Sequence, residues 1–179
     1  MDRRQRGFSL IELLIVVAII LIIAAISIPN LLRSRIAASE ASAVGSLRTM
    51  NTAAVSYSST YGNGFPPSLA SIGTNGSTTV SCTSAGLIDP VLSSGTKSGY
   101  TFQLHPGLAA NQLNSASSSC SAGYGYSDGY MITAVPITVG TTGQRSFCTD
   151  ASGVIRQNPN GTPNPGPSPN CATSDAPLQ

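Results

Sequence analysis

Along the first third of the chain the hydrophobic positions are continuous rather than spaced. From Phe8 to Ile28 every residue is apolar or small except Glu12. As a helix this run rises about 31 Å, the hydrocarbon thickness of a bilayer. After Pro29 the pattern turns periodic: Ala43, Leu47, Met50, Ala54, Tyr57 and Tyr61 recur at alternating steps of three and four, one face of an amphipathic helix. Arg33, Arg35, Glu40 and Arg48 interrupt this second half, which has therefore left the membrane. The stripe is read as the face that packs on a sheet. Pro29 removes a backbone donor and is expected to kink the helix, and Gly45 weakens it. A helix of this length could reach about 80 Å, more than a compact domain can bury. Half of it must serve lipid or neighbouring copies.

The segment Tyr61-Gly62-Asn63-Gly64-Phe65-Pro66-Pro67 ends the helix by glycine and proline chemistry. A loop-rich stretch follows, containing the short apolar piece Ala85 to Asp89. Strand signals then appear at Tyr100–His105, at Gly129–Thr138 with period-two alternation, at Gln144–Thr149 and at Gly153–Gln157. Asp150-Ala151-Ser152-Gly153 suits a hairpin turn. Pro136 is expected at an edge or a bulge. The fold class is α+β, a long N-terminal helix on a three- or four-stranded antiparallel meander. The organisation is a leader at 1–7, helix halves at 8–28 and 29–61, a loop region at 62–99, the sheet at 100–157, and a proline-rich tail at 158–179.

The chain has 179 residues and a formal net charge of +2. Three of the nine basic residues, Arg3, Arg4 and Arg6, and one acidic residue, Asp2, stand before Phe8. If the leader is removed, the remainder is formally neutral, so no basic patch argues for nucleic acid. The leader arginines keep the N-terminus cytoplasmic by the positive-inside rule. A secretory signal has a shorter apolar core with its cleavage site behind it. Here the plausible cut lies before the run, so the apolar helix stays with the mature protein. A carboxylate inside a membrane span costs a few kcal/mol and marks a functional site by default.

Cys82, Cys120, Cys148 and Cys171 all lie in the part expected outside the membrane, where wide spacing suggests disulfides. No CxxC occurs and His105 is the single histidine, so zinc is not indicated. Four cysteines allow three pairings. Cys171, just past the prolines, is a candidate tie to Cys148, which leaves Cys82 with Cys120; a peptide joining Cys82 to Cys171 would overturn this. Nothing suggests catalysis or a bound cofactor: His105 is isolated and Asp89, Asp128 and Asp150 are scattered. Asn75-Gly76-Ser77 and Asn160-Gly161-Thr162 fit the glycosylation sequon, by itself a weak signal.

Gly7-Phe8-Ser9-Leu10-Ile11-Glu12-Leu13-Leu14-Ile15-Val16-Val17-Ala18-Ile19-Ile20, closed by Pro29, resembles the class III signal of bacterial type IV pilins, shared by the pseudopilins of type II secretion. The resemblance is dense over roughly the first fifty residues. It implies that a prepilin peptidase cuts between Gly7 and Phe8 and methylates the Phe8 amine. It also implies that Glu12 pairs with the Phe8 amine of a neighbouring subunit and so sets filament register. Surrounding aliphatic surface then supplies most of the association energy, at about 25 cal/mol per Å² buried. A C-terminal disulfide loop such as Cys148–Cys171 is similar to that of pilins. Likeness to major pseudopilins invites calcium at Asp128 and Asp150, a thin ligand set for that ion beside the ordinary reading of both as turn residues.

The expected function is a pilus subunit held in the inner membrane and polymerised by the assembly machinery into an extracellular homo-oligomeric fibre. Adhesion, twitching motility or DNA uptake would belong to the whole machine. The alternative is a type II secretion pseudopilin. A monomeric membrane-anchored binding domain explains neither Gly7 nor Glu12.

Overall fold

The computed structural model describes residues 8–62, 64–74, 76–108, 112, 113, 120, 125, 126, 128–162 and 169–178. The leader with Gly7, Asn63 of the helix-ending turn, Asn75 of the first sequon and 163–168 of the proline tail lie outside the described residues. Two compact units divide the chain, Met1–Arg35 and Ile36–Gln179.

Helix α1, Leu10–Tyr61, runs through both units and is assigned without a break across Pro29. It is the one helix among the described residues long and apolar enough to cross a membrane. In the first unit its aliphatic side chains are almost all exposed, from Leu10 at 80% to Leu32 at 55%. Tyr61 is its last residue because Gly62 takes φ +61°, a left-handed conformation that suits a residue without Cβ. The Gly62 N–H then donates to the Ser58 carbonyl at 3.0 Å and closes the terminus.

The second unit begins with the remainder of α1. Ala43, Leu47, Met50, Ala54, Tyr57 and Tyr61, the stripe expected from the periodicity, are all buried in its main core. Two four-residue helices follow, α2 (Leu69–Ile72) and α3 (Pro90–Ser93). Ser68 caps the first, and Asp89 caps the second through a 2.8 Å bond from the Leu92 N–H.

The sheet contains β1 (Thr96–Lys97), β2 (Tyr100–Pro106), β3 (Tyr130–Pro136), β4 (Ser146–Asp150), β5 (Ile155–Asn158) and β6 (Ala176–Pro177). All neighbours pair antiparallel in chain order, a meander. The sheet thus has six strands, not the three or four expected. The four anticipated strands are its centre. The additional two, β1 and β6, are two-residue edges whose strand character comes from their partners, not from their own composition. The Asp150–Gly153 turn closes with a 2.9 Å bond from the Gly153 N–H to the Asp150 carbonyl. Pro136 is neither on an edge strand nor at a bulge: it is the last residue of the central β3, opposite Tyr100 and beyond the last β4 pairing at Ala134. There its missing N–H breaks no ladder with β4.

Alternation assigns the two faces. Tyr100, Phe102, Leu104, Tyr130, Ile132, Ala134, Phe147 and Ile155 meet the α1 stripe in one core. Met131 and Cys148 point the other way and meet Cys171 of the returning tail in a second, small core. The tail therefore covers the outer face, and this is why all five residues of β4 are buried.

Candidate assembly site

The first turn of α1 carries the chemistry that the sequence singled out. The Ser9 carbonyl accepts from the Glu12 N–H at 3.1 Å and the Leu13 N–H at 3.2 Å, so the helix starts directly behind Phe8. Glu12 is the third helical residue and Ser9 precedes the first, the S-x-x-E arrangement of a capping box. A carboxylate there faces the positive end of the helix dipole and its unsatisfied N–H groups. An amine created at Phe8 would lie at the same end, where the dipole opposes a cation. A nearby carboxylate offsets that repulsion, whether it belongs to the same chain or to another.

Phe8 is 71% exposed, and Glu12 is exposed among exposed Leu10, Ile11, Leu13 and Leu14. From Phe8 to Leu32, Glu12 is the sole ionisable side chain. Further along, Pro29 leaves one carbonyl of the preceding turn without its donor. One turn on, the Ser34 hydroxyl donates back to the Asn30 carbonyl at 3.0 Å, a contact that itself bends helices. Gly7, the residue expected before the cut, lies outside the described residues.

Residues 2–28 match the family described as the prokaryotic N-terminal methylation motif. This N-terminal segment is similar to that of type IV pilins. It is 48% identical over 54 residues to the type IV major pilin protein PilA of Myxococcus xanthus, covering 30% of this chain and 24% of that protein. It is 67% identical over 33 residues to the type IV wide pilus major component PilA4 of Thermus thermophilus, covering 18% of this chain and 25% of that protein. The matches thus span about a quarter of each pilin's length. No solved structure matches.

The remaining residues named from the sequence fall in the second unit. Cys148 and Cys171 are joined by a disulfide, Cα atoms 5.9 Å apart, fastening the tail to β4. The structure does not join Cys82 to Cys120. Both are buried, at 6% exposure each, in the main core. Asp150, expected as a solvated turn residue or half of a calcium site, is buried and occupied. Its Oδ1 accepts from the Ser152 N–H at 2.9 Å and its Oδ2 from the Cys171 N–H at 3.1 Å. Asp128 Oδ2 accepts from the Leu108 N–H at 2.9 Å. Each carboxylate is used on its own backbone. Among the described residues no three His, Cys, Asp or Glu side chains gather into a metal set. His105 is half-buried with Nε2 3.3 Å from the Thr133 hydroxyl, and burial holds its pKa below the usual histidine value.

One network escaped the sequence reading. Glu40, 6% exposed, receives four hydrogen bonds: from the Gln144 N–H at 2.9 Å, the Arg145 N–H at 3.1 Å, Arg145 Nε at 2.9 Å and Arg145 Nη2 at 2.6 Å. Arg145 Nη1 continues to Gln157 Oε1 at 2.6 Å. Burial pushes the Glu40 carboxyl up, but the guanidinium and the two backbone donors outweigh it and hold the pKa below the ordinary carboxylate value. The network ties α1 to the start of β4. Its signal was present: Glu40 lies three residues before Ala43, one step upstream on the buried stripe.

Proposed function

We propose that this chain is the structural subunit of a type IV pilus. It would be cut between Gly7 and Phe8, methylated at Phe8, held as a single-pass inner-membrane protein with its N-terminus cytoplasmic, and polymerised into an extracellular fibre. The observation that carries the reading is the lone Glu12 in the first turn of an otherwise apolar, exposed helical stretch. Both pilins it resembles are named as major pilus components, which favours a pilus over a secretion pseudopilus. The role is structural, without catalysis.

Physical chemistry supports this division of labour. Lipid is as apolar as leucine, so helices leaving the bilayer for a fibre gain little hydrophobic energy against each other. Once the fibre stands in water, the same side chains hold it together, at about 1.5–3 kcal/mol for each fully buried aliphatic residue. Uniform grease does not choose a register. A single carboxylate paired with a neighbour's Phe8 amine does, because every other axial offset leaves both charges desolvated and apart.

The test is Glu12→Ala expressed in place of the natural chain. The variant is expected to be inserted, trimmed and methylated by mass spectrometry of the membrane fraction, yet to yield no fibres by electron microscopy. Normal fibres from it would refute the pairing.

A further inference from the structure

Two cations stand where the apolar stretch of α1 ends. Arg33 and Arg35 are exposed, and among the described residues the ion pairs are Lys97–Asp89 and Arg145–Glu40, which involve neither. Between Glu12 and Arg33 lie twenty residues, none of them ionisable. As helix they rise about 30 Å, the thickness of a hydrocarbon core. When the arginines sit in one headgroup layer, the carboxylate therefore reaches the other. Ser27, Asn30 and Ser34 line a shallow groove with Ile28 and Leu31, so the arginine end is also where polar groups return to the helix surface.

Helix geometry decides what the two guanidinium groups can hold. Two residues apart, they leave the axis about 200° from each other. Such a collar fits a layer that surrounds the helix; it does not converge on one ligand or one neighbouring chain. Nor does a second copy offer a spare carboxylate. Glu40 and Asp89 are already paired with Arg145 and Lys97, and Asp128, Asp150 and Asp175 each accept from groups of their own chain. A planar guanidinium matches the oxygens of a phosphate, and its stem can lie along apolar surface such as the exposed Leu31 and Leu32.

We infer that Arg33 and Arg35 bind the phosphates of anionic phospholipid headgroups and so fix the depth of the α1 span, with Glu12 held at the opposite border of the bilayer. The inference rests on the membrane-anchored state proposed above. Sliding the helix one way carries a guanidinium into hydrocarbon, and sliding it the other way carries the carboxylate in. A single depth satisfies both.

The chain has no tryptophan, so Ile22→Trp, at an exposed position near the middle of the twenty, serves as a depth probe. The full chain is reconstituted in vesicles of phosphatidylcholine and phosphatidylglycerol whose acyl chains carry bromine at graded depths. Quenching is expected to peak at the bilayer centre. Adding Arg33→Ala and Arg35→Ala leaves no ionisable group before Glu40 and frees seven more positions. The peak is then expected to move by about 5 Å, half the rise of those seven, and lysine at both positions to restore it. Spin-labelled phosphatidylglycerol is expected to gather more around the wild type than around the alanine pair, the leader arginines being common to both, and the difference to shrink in high salt. Unchanged depth with an unchanged lipid shell in the alanine pair would overturn the inference while leaving the span intact. Arginine-dependent cross-linked dimers in phosphatidylcholine alone would assign both residues to a second copy and overturn it as well. A tryptophan beyond the reach of every bromine would remove the span itself, and the proposed anchoring with it.

Discussion

Replacing Glu40 by Ala removes the acceptor of four hydrogen bonds at once. A buried ion pair broken from one side usually costs about 3–5 kcal/mol, because the surviving charge is left uncompensated. Here the survivor is the more exposed partner: the Arg145 side chain is 41% accessible, Glu40 only 8%. Water can take over much of the guanidinium, and Gln144 is exposed as well. We therefore expect a loss of about 2–3 kcal/mol, close to what charge-assisted bonds contribute net. Followed by near-UV circular dichroism of the full chain in detergent, this corresponds to a urea midpoint about 1 M lower. The pH dependence follows from the direction of the shift. A carboxyl held below its unfolded value contributes fully above the ordinary range near about pH 4.3, and loses that contribution as pH falls through the lower folded value. The gap between wild type and Glu40→Ala should thus be widest at neutral pH and narrow in acid. Glu40→Gln keeps an acceptor for the two backbone donors and should lose about half as much, without that narrowing. A Glu40→Ala variant within about 0.5 kcal/mol of wild type at neutral pH, or a gap unchanged in acid, would refute the argument.

Gly143→Ala would drive a methyl into the hydroxyl and ring of Tyr100, fully buried and bonded through its hydroxyl to the Arg145 carbonyl at 2.8 Å. Overpacking of this kind should lower stability by about 1–3 kcal/mol in urea titration; an unchanged midpoint would show that the ring can yield. Cys171→Ser opens a clasp spanning 23 positions and should cost about 3 kcal/mol in the chain-entropy model. Proteolysis is the sharper readout: cleavage after Asn158 should accelerate many-fold while β2–β4 stays protected, and equal cleavage rates would contradict it.

How far the fold was legible depended on whether a residue's environment is fixed by its own neighbours in sequence. The Ala43–Tyr61 stripe was readable because burial against the sheet repeats with the helical period. The strands from β2 to β5 were readable from alternation and from the Asp150–Gly153 turn. Strands β1 and β6 were not, since two residues hold no period. Burial of Cys148 and Asp150 on β4 was hidden because it is imposed partly by a tail more than twenty residues away. Glu40 was read as a sign of solvent, although it continues the buried spacing; only the approach of Arg145 turns a charge at that position from a defect into a tie. At the N-terminus the unbroken apolar helix and its one charge, Glu12, were legible, because continuous hydrophobicity needs no distant partner to be read. The S-x-x-E form around it adds that this charge also begins the helix.

The borders of the sheet carry a consequence for the fibre proposed above. One border is Thr96–Lys97, with Lys97 drawn to Asp89 at 3.6 Å; the other is Ala176–Pro177, whose proline has no N–H to offer. Neither presents enough backbone to template a strand from another copy. In the proposed fibre, copies packed shoulder to shoulder by their greasy ends would thereby be denied the rival route of growth, ladder upon ladder into amyloid.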